Sequence, residues 1–160
     1  MTTLKMLLKD KGPNVWSVHP DDTVLDAIKV LAEKDIGALI VIEDGKPVGI
    51  FSERDYARSV YLKGKSSPET PVRDVMVAPV ICVGLGHSVN ECMTLMTVKR
   101  FRHLPVMDGD ELIGMVSIGD LVKSVIADQQ FTIEQLEHYI HSSPASLDLL
   151  LANSGHSAPP

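Results

Sequence analysis

The stretch GALIVIEDGKPVGIFSERD, residues 37–55, carries most of the information about the fold. It begins with a continuous apolar, β-branched run that is typical of a buried strand. Asp44-Gly45 then favours a type I′ hairpin turn, and a second apolar run follows before Ser52 opens a helix. The related stretch RHLPVMDGDELIGMVSIGD lies 65 positions later, at residues 102–120. The chain therefore contains one strand–turn–strand–helix unit twice.

The repeat extends on the N-terminal side of both stretches. Residues 15–58 lie on residues 80–123 without a gap, and nine of these 44 positions are identical, where chance would give about two or three. In each copy a strand-like run (Val15–Val18 or Val80–Val83) is followed by an apolar helix face (Val24–Leu31 or Val89–Lys99). Each copy is thus predicted to be β-α-β-β-α, an α/β (α+β) fold with a pseudo-twofold axis. The crevice between such copies is the natural place for a ligand.

The segments around the repeat define the predicted domain boundaries. The predicted units are 4–62 for the first copy, 63–71 for a Ser- and Pro-rich linker, 72–127 for the second copy, 128–153 for a C-terminal helical extension and 154–160 for a disordered tail. Short entry helices are expected around Leu4–Leu8 and Val72–Met76.

Helix Ile118–Ala127 is expected to close the second copy. In the extension, Thr132-x-x-Gln135 resembles a capping box, which predicts a separate helix over Ile133–His141. Leu147–Ala152 is predicted to form a short apolar turn.

Composition excludes several classes of protein. A net charge of −6 argues against nucleic acid or an anionic membrane as a partner. No apolar run approaches the roughly 18 residues that span a bilayer, and the N-terminus lacks a signal-peptide core. Cys82 and Cys92 lack CxxC spacing and are predicted to be reduced core residues. We therefore expect a soluble, cytoplasmic protein.

The motifs of common enzymes and metal sites are not found in the sequence. There is no G-x-S-x-G nucleophile elbow and no glycine-rich phosphate loop. Glu134, Glu137, His138 and His141 are interpreted as a charged helix face. We therefore predict no catalytic activity, no catalytic cofactor and no metal site.

Ser52-x-x-Asp55 and Ser117-x-x-Asp120 have two interpretations. A carboxylate can accept two hydrogen bonds from a ribose diol, and the free N–H groups of a helix start favour phosphate. The same spacing is also a helix capping box, with Ser at the N-cap and an acid at N3. Spacing alone favours the cap, but the two interpretations are partly compatible.

The repeat resembles the CBS domain, and the tandem pair resembles a Bateman module. The resemblance is carried by Gly37–Val41 with Gly49–Asp55, by Arg102–Val106 with Gly114–Asp120, and by the lead-in Asp74-Val75-Met76. It covers residues 4–127, and the layout is most similar to small stand-alone bacterial CBS-pair proteins.

This resemblance implies a non-catalytic regulatory sensor, in energy or redox signalling, that binds AMP, ADP, ATP or NAD between the copies. It also implies a homodimer that pairs through the CBS helices and signals to an unknown effector protein. The alternative is a ligand-free protein–protein interaction module in which the Ser-x-x-Asp motifs only cap helices.

The resemblance also assigns site residues. Backbone at Gly37-Ala38 and Arg102-His103 is expected to meet adenine together with the first strand of the same copy, and the Asp of the facing copy completes each pocket. Asp120 is thus paired with the first copy and Asp55 with the second. The predicted nucleotide-binding residues are Ser17, Val18, Gly37, Ala38, Ser52, Asp55, Arg58, Cys82, Val83, Arg102, His103, Ser117 and Asp120.

Basic residues cluster near these positions. Lys99, Arg100, Arg102 and His103 are joined in position by Arg54, Arg58 and Lys123. The cluster is either a solvated face or an anion site, with Arg58 as the preferred phosphate ligand. Because Arg102 and His103 are bulkier than Gly37 and Ala38, the two pockets are expected to differ in ligand or affinity.

Overall fold

The computed structural model of the chain describes residues 2–12 and 14–141. It contains two three-stranded sheets and five α-helices. The strands are β1 (Ser17–Val18), β2 (Ala38–Glu43), β3 (Lys46–Ser52), β4 (Val83–Gly84), β5 (His103–Asp108) and β6 (Glu111–Ser117). The helices are α1 (Leu4–Lys11), α2 (Val24–Lys34), α3 (Glu53–Asp55), α4 (Val89–Lys99) and α5 (Ile118–His141). A π-helix (Tyr56–Tyr61) continues α3, and Val72–Asp74 forms a 3₁₀ turn.

The two sheets have the same topology. In each, the first strand pairs in parallel with the second, which pairs antiparallel with the third. The first hairpin turns at Asp44 (φ 52°) and Gly45 (φ 76°), the two positive φ values of a type I′ turn. Its register places Ala38 opposite Ser52, as the second hairpin places His103 opposite Ser117. The start of each central strand therefore lies beside the start of the helix that follows its hairpin.

Each copy has its own core, but the entry segments are exchanged between them. Leu4 and Leu7 of α1 are buried in the core of the second copy. Val72 and Val75, in the entry segment of the second copy, are buried in the core of the first. Most of the apolar surface of each entry segment therefore leaves water through contact with the other copy, which ties the two copies together.

Two glycines in equivalent positions make these crossings possible. A Cβ on Gly49 would lie 2.7 Å from Sδ of Met76 and 3.0 Å from the carbonyl oxygen of Val77. A Cβ on Gly114 would lie 2.8 Å from Cδ2 of Leu8. The 2.7 Å and 2.8 Å distances are shorter than non-bonded contacts of a Cβ atom allow. The glycine that opens each G-x-x-S-x-x-D motif therefore makes room for the entry segment that lies across its hairpin.

The C-terminal helix differs from its prediction. It does not end at Ala127 and restart at Ile133, because α5 runs for 24 residues without a break. Thr132 is not an N-cap: its hydroxyl donates to the carbonyl oxygen of Asp128 at 2.9 Å, the i−4 bond that Thr makes inside helices. Leu147–Ala152 and residues 154–160 lie outside the described residues.

The first strand of each copy is shorter than predicted. β1 includes only Ser17 and Val18, and β4 begins at Val83 instead of Val80. The residues just before β1 and β4 therefore lie outside the two sheets. Those before β4 include a cis Ala78–Pro79 bond. Over the residues that the structure describes, no helix is long and apolar enough to cross a membrane.

Candidate functional site

Two neighbouring clefts lie between the copies. The first, which we call the arginine cleft, has a volume of about 430 Å³. It is lined by Gly37, Ile50, Ser52, Glu53, Arg54, Asp55, Arg58, Val77, Pro79, Val80, Ile81, Arg100, Phe101, Arg102 and His103. The second, the lysine cleft, has a volume of about 390 Å³. It is lined by Lys11, Asn14, Val15, Trp16, Asp35, Ile36, Gly37, Ala38, His103, Met115, Ser117 and Asp120.

Asp55 in the arginine cleft is both a capping residue and a wall of the cavity. Its Oδ2 accepts hydrogen bonds from the Ser52 backbone N–H at 2.9 Å and from the Ser52 hydroxyl at 2.8 Å. The Asp55 N–H donates to Ser52 Oγ at 3.2 Å, which completes a capping box. All of these bonds to the carboxylate fall on Oδ2. The second oxygen, Oδ1, remains available as an acceptor for a ligand hydroxyl.

The same cleft collects positive charge. Arg54 and Arg58 reach it from the helix after the first hairpin, and Arg100 and Arg102 reach it from the turn between α4 and β5. Among the described residues, none of the four guanidinium groups has an ion-pair or hydrogen-bond partner. They outnumber the two carboxylates of the cleft, Glu53 and Asp55. Guanidinium groups that converge on a cavity without internal partners suit a ligand with several anionic oxygens.

Asp120 in the lysine cleft repeats the cap but has an additional partner. Its Oδ2 accepts from the Ser117 N–H at 2.8 Å and from Lys11 Nζ at 2.6 Å. Lys11 Nζ also donates to the carbonyl oxygen of Met115 at 2.6 Å. Partial burial by itself raises the pKa of Asp120, but the Lys11 ammonium and the Ser117 hydrogen bonds outweigh it and hold that pKa below its usual value. The carboxylate is therefore ionised and already paired.

The two clefts differ in charge partly because the two copies carry different residues at equivalent positions. Asp35 and Arg100 are 65 residues apart and both end a helix with positive φ, 52° and 59°. The first lines the lysine cleft and the second lines the arginine cleft. With Lys11 set against Asp35 and Asp120, the lysine cleft has an excess of negative charge. The two clefts therefore differ in the sign of their excess charge.

One imidazole belongs to both clefts. His103 and Gly37 line the arginine cleft and the lysine cleft alike. His103 Nε2 lies 3.9 Å from the position of a Cβ on Gly37. Burial lowers the pKa of His103, and the nearby Lys11 and Arg102 lower it further against the opposing effect of Asp120 and Asp55. The shared wall between the clefts is therefore a neutral imidazole at pH 7.

Nine of the thirteen predicted site residues line these clefts, and four do not. The four outside are Ser17, Val18, Cys82 and Val83. Val18 and Val83 are buried in the cores, and Ser17 lines a separate concavity with Asp108 and Asp110.

The chain faces the clefts two residues earlier than predicted. Val15 and Trp16 line the lysine cleft, and Val80 and Ile81 line the arginine cleft. The reason is that β1 and β4 begin later than expected, so that the chain passes the cavity before it joins a sheet. Lys11 is a further lining residue that was not predicted, because α1 lies outside the repeat and no internal match points to it.

Known proteins of similar sequence share one type of domain with this chain. A family profile described as CBS domain matches residues 11–61 and 72–127. The mitochondrial CBS domain-containing protein CBSX3 of Arabidopsis thaliana is 38% identical over 149 residues, which cover 87% of this chain and 72% of that protein.

Solved structures share the architecture. A CBS-domain protein from Burkholderia ambifaria MC40-6 is 55% identical, with a TM-score of 0.77 over 82% of this chain and 99% of that one. The CBS domain pair of protein MJ0100, solved in complex with 5′-methylthioadenosine and S-adenosyl-L-methionine, is 22% identical. Its TM-score is 0.70 over 80% of this chain and 98% of that one. At that identity the likeness concerns the fold.

Proposed function

Because the chain belongs to the CBS-domain family and carries the domain as a tandem pair, we propose that it is a non-catalytic regulatory module that binds adenine nucleotides between its two copies. The observation that carries this proposal is the arginine cleft. There, one carboxylate oxygen and four unpaired guanidinium groups face a single cavity. We further propose that the protein acts in energy or redox signalling, as a cytoplasmic homodimer with an effector protein still to be identified.

The arginine cleft provides a complementary group for each part of a nucleotide. Oδ1 of Asp55 accepts from the ribose hydroxyls, and the arginines contact the phosphate oxygens. Val80 and Ile81 provide an apolar wall for the base. Because four cations face two carboxylates, this cleft favours ATP or ADP over AMP.

The lysine cleft supports a different ligand. Its single cation is already bonded to Asp120, and Asp35 adds negative charge. We propose that it holds an adenosine moiety with at most one phosphate next to the ribose. The exposed ring of Trp16, with Lys34 Nζ 4.2 Å from the ring centroid, offers a face on which the base stacks.

A second candidate function is supported by the hydrogen bonds themselves. Ser52 and Ser117 both cap helices in the manner that needs no ligand. In a ligand-free protein–protein interaction module, these motifs would only cap the starts of helices.

Isothermal titration of the full chain with ATP, ADP, AMP and NAD distinguishes the two functions, with GTP as the control for the base. We expect micromolar binding of ATP, which corresponds to about −8 kcal/mol, and weaker binding of GTP. If no nucleotide produces heat or a thermal shift at millimolar concentration, the ligand-free module is the correct function.

Substituting Asp55→Asn separates ligand contact from helix capping. The amide keeps the shape and one acceptor oxygen, but it removes the charge that holds the ribose diol. Hydrogen bonds to charged groups contribute about 1.5–3 kcal/mol, so we expect the Kd for ATP to rise about 10- to 100-fold. Titration calorimetry measures this change, and a thermal melt is expected to shift by only a few degrees.

The matched control is Asp26→Asn. Asp26 occupies the same position after the cap residue Thr23, whose hydroxyl accepts from the Asp26 N–H at 3.1 Å. Asp26 lines neither cleft. Equal ATP affinity in the Asp55 and Asp26 variants would mean that the motif serves only as a cap.

Substituting Lys11→Met tests the lysine cleft. Removing the ammonium leaves Asp120 free for a ribose diol. It also takes away the one Lys or Arg among the described residues that line this cleft. In a background with Asp55→Asn, we expect the ratio of AMP affinity to adenosine affinity to fall about tenfold, which corresponds to about 1.4 kcal/mol. Calorimetry with both ligands measures the ratio. Lys9→Met, on the exposed side of the same helix, is the control, and an equal change there would contradict the assignment.

A further inference from the structure

The second half of α5 holds its apolar side chains at the surface, and Thr2 Oγ1 donates a hydrogen bond to Asp128 near its start at 2.7 Å. All side chains from residue 126 to residue 141 are exposed. An isolated helix of about this length is marginal in water, because tertiary packing of an apolar face normally stabilises helices in proteins. The segment nevertheless carries large exposed apolar residues, and their positions follow a regular pattern.

The apolar residues on one side of α5 follow a heptad. Val122, Ile126, Ile133, Leu136 and Ile140 are spaced by fours and threes, with Gln129 at the one remaining position; we call these six residues the α5 seam. The five apolar members are between 41% and 59% exposed. A period of 3.5 residues is the pattern of two helices that pack along their length, whereas a helix on a globular core uses a wider stripe.

We propose that the α5 seam pairs with the α5 seam of a second copy of this chain. The heptad places isoleucine at all three a positions (126, 133 and 140) and leucine at one d position, Leu136, which is the combination that favours two-stranded coiled coils. A seam that meets its own copy forms a closed, isologous contact.

Charge and size are compatible with this partner. The positions that flank the seam are Lys123, Val125, Gln130, Thr132, Glu137 and Tyr139. They hold one charge of each sign, so two copies do not place rows of like charge against each other. The seam is about 27 Å long. A specific interface needs about 1,000 Å² in total, so each helix has to bury about 500 Å² along the seam. Gln129 fixes the register at some cost in affinity.

The test compares the full chain with two sets of substitutions by sedimentation velocity at 5–50 μM. With Ile133→Asp and Leu136→Asp together, we expect the subunit number to be half that of the unsubstituted chain. Phe131→Asp is the matched control, since Phe131 is 63% exposed but lies on the opposite face of the helix. It is expected to leave the subunit number unchanged. Gln129→Leu is expected to tighten self-association at least tenfold.

Two results would overturn the proposal. One is an equal subunit number for the chain with and without the paired Asp substitutions, whether because another surface joins the copies or because residues 142–160 cover the seam. The other is an equal loss of subunits in Phe131→Asp. If the paired variant unfolds, Gln129→Leu still decides, because the proposal fails if association does not tighten. None of these measurements depends on whether the clefts bind nucleotide.

Discussion

Reversing the charges of Arg58 and Arg102 together, by substitution with Glu, is expected to weaken ATP binding by at least about 100-fold. Each guanidinium that contacts phosphate contributes about 1.5–3 kcal/mol, and the new carboxylates also repel the triphosphate. Adenosine, which has no phosphate, is expected to lose less than about threefold, equivalent to under 1 kcal/mol. Calorimetry with both ligands separates the loss of phosphate contact from damage to the cavity.

The control for this prediction has the same change in net charge. Lys99 and Lys123 belong to the same basic cluster in the sequence, but neither lines a cleft. Changing both to Glu is expected to alter ATP affinity by less than about fivefold, through long-range electrostatics that salt screens. If this pair of substitutions weakens ATP as strongly as the arginine pair, the cluster is a diffuse field and the arginine cleft is not a binding site.

Substituting Phe51→Ala is expected to lower the free energy of unfolding by about 3–5 kcal/mol, the usual cost of removing a buried aromatic side chain. Phe51 has no exposed surface and lies in the core of the first copy. For a chain of this size the loss lowers the melting temperature by roughly 10 °C or more. Chemical denaturation measures this loss, and the m value is expected to stay unchanged.

Val116 occupies the equivalent position in the second copy and is equally buried. Val116→Ala removes less volume, so we expect a loss of about 2 kcal/mol. The two substitutions together report whether the copies unfold as one unit. Because each core contains an entry segment that adjoins the other copy, we expect one cooperative transition in both variants. Two separate transitions would show that the exchange of entry segments does not couple the copies.

The features that local chemistry determines were predictable. Asp44-Gly45 predicted a type I′ turn, and both residues have positive φ. The apolar spacing from Val89 to Lys99 predicted a helix whose bounds agree with α4. At these positions the turn residues and the hydrophobic period determine the local structure. A single sequence is therefore sufficient to predict it.

The features that depend on contacts distant in sequence were not predictable. Lys11 reaches Asp120 across 109 positions, and nothing in the repeat marks α1 as part of a cleft. Four predicted site residues lie outside the clefts because β1 and β4 begin later than expected. Hydrogen bonding to β2 and β5 decides where these two-residue strands begin. Thr132-x-x-Gln135 has the residues of a capping box, but α5 already runs through this segment. The backbone N–H groups there bond to carbonyl groups of the preceding turn. A capping motif therefore indicates a helix start only where no helix precedes it.

The continuity of α5 has a mechanical consequence. Asp120 lies in its first turn and His141 at its end, about 32 Å away at 1.5 Å per residue. A straight helix behaves as a stiff lever over this span, so a tilt of about 5° at the cleft moves the far end by about 3 Å. A ligand that tilts α5 at Asp120 therefore moves atoms about 3 nm away that it never touches.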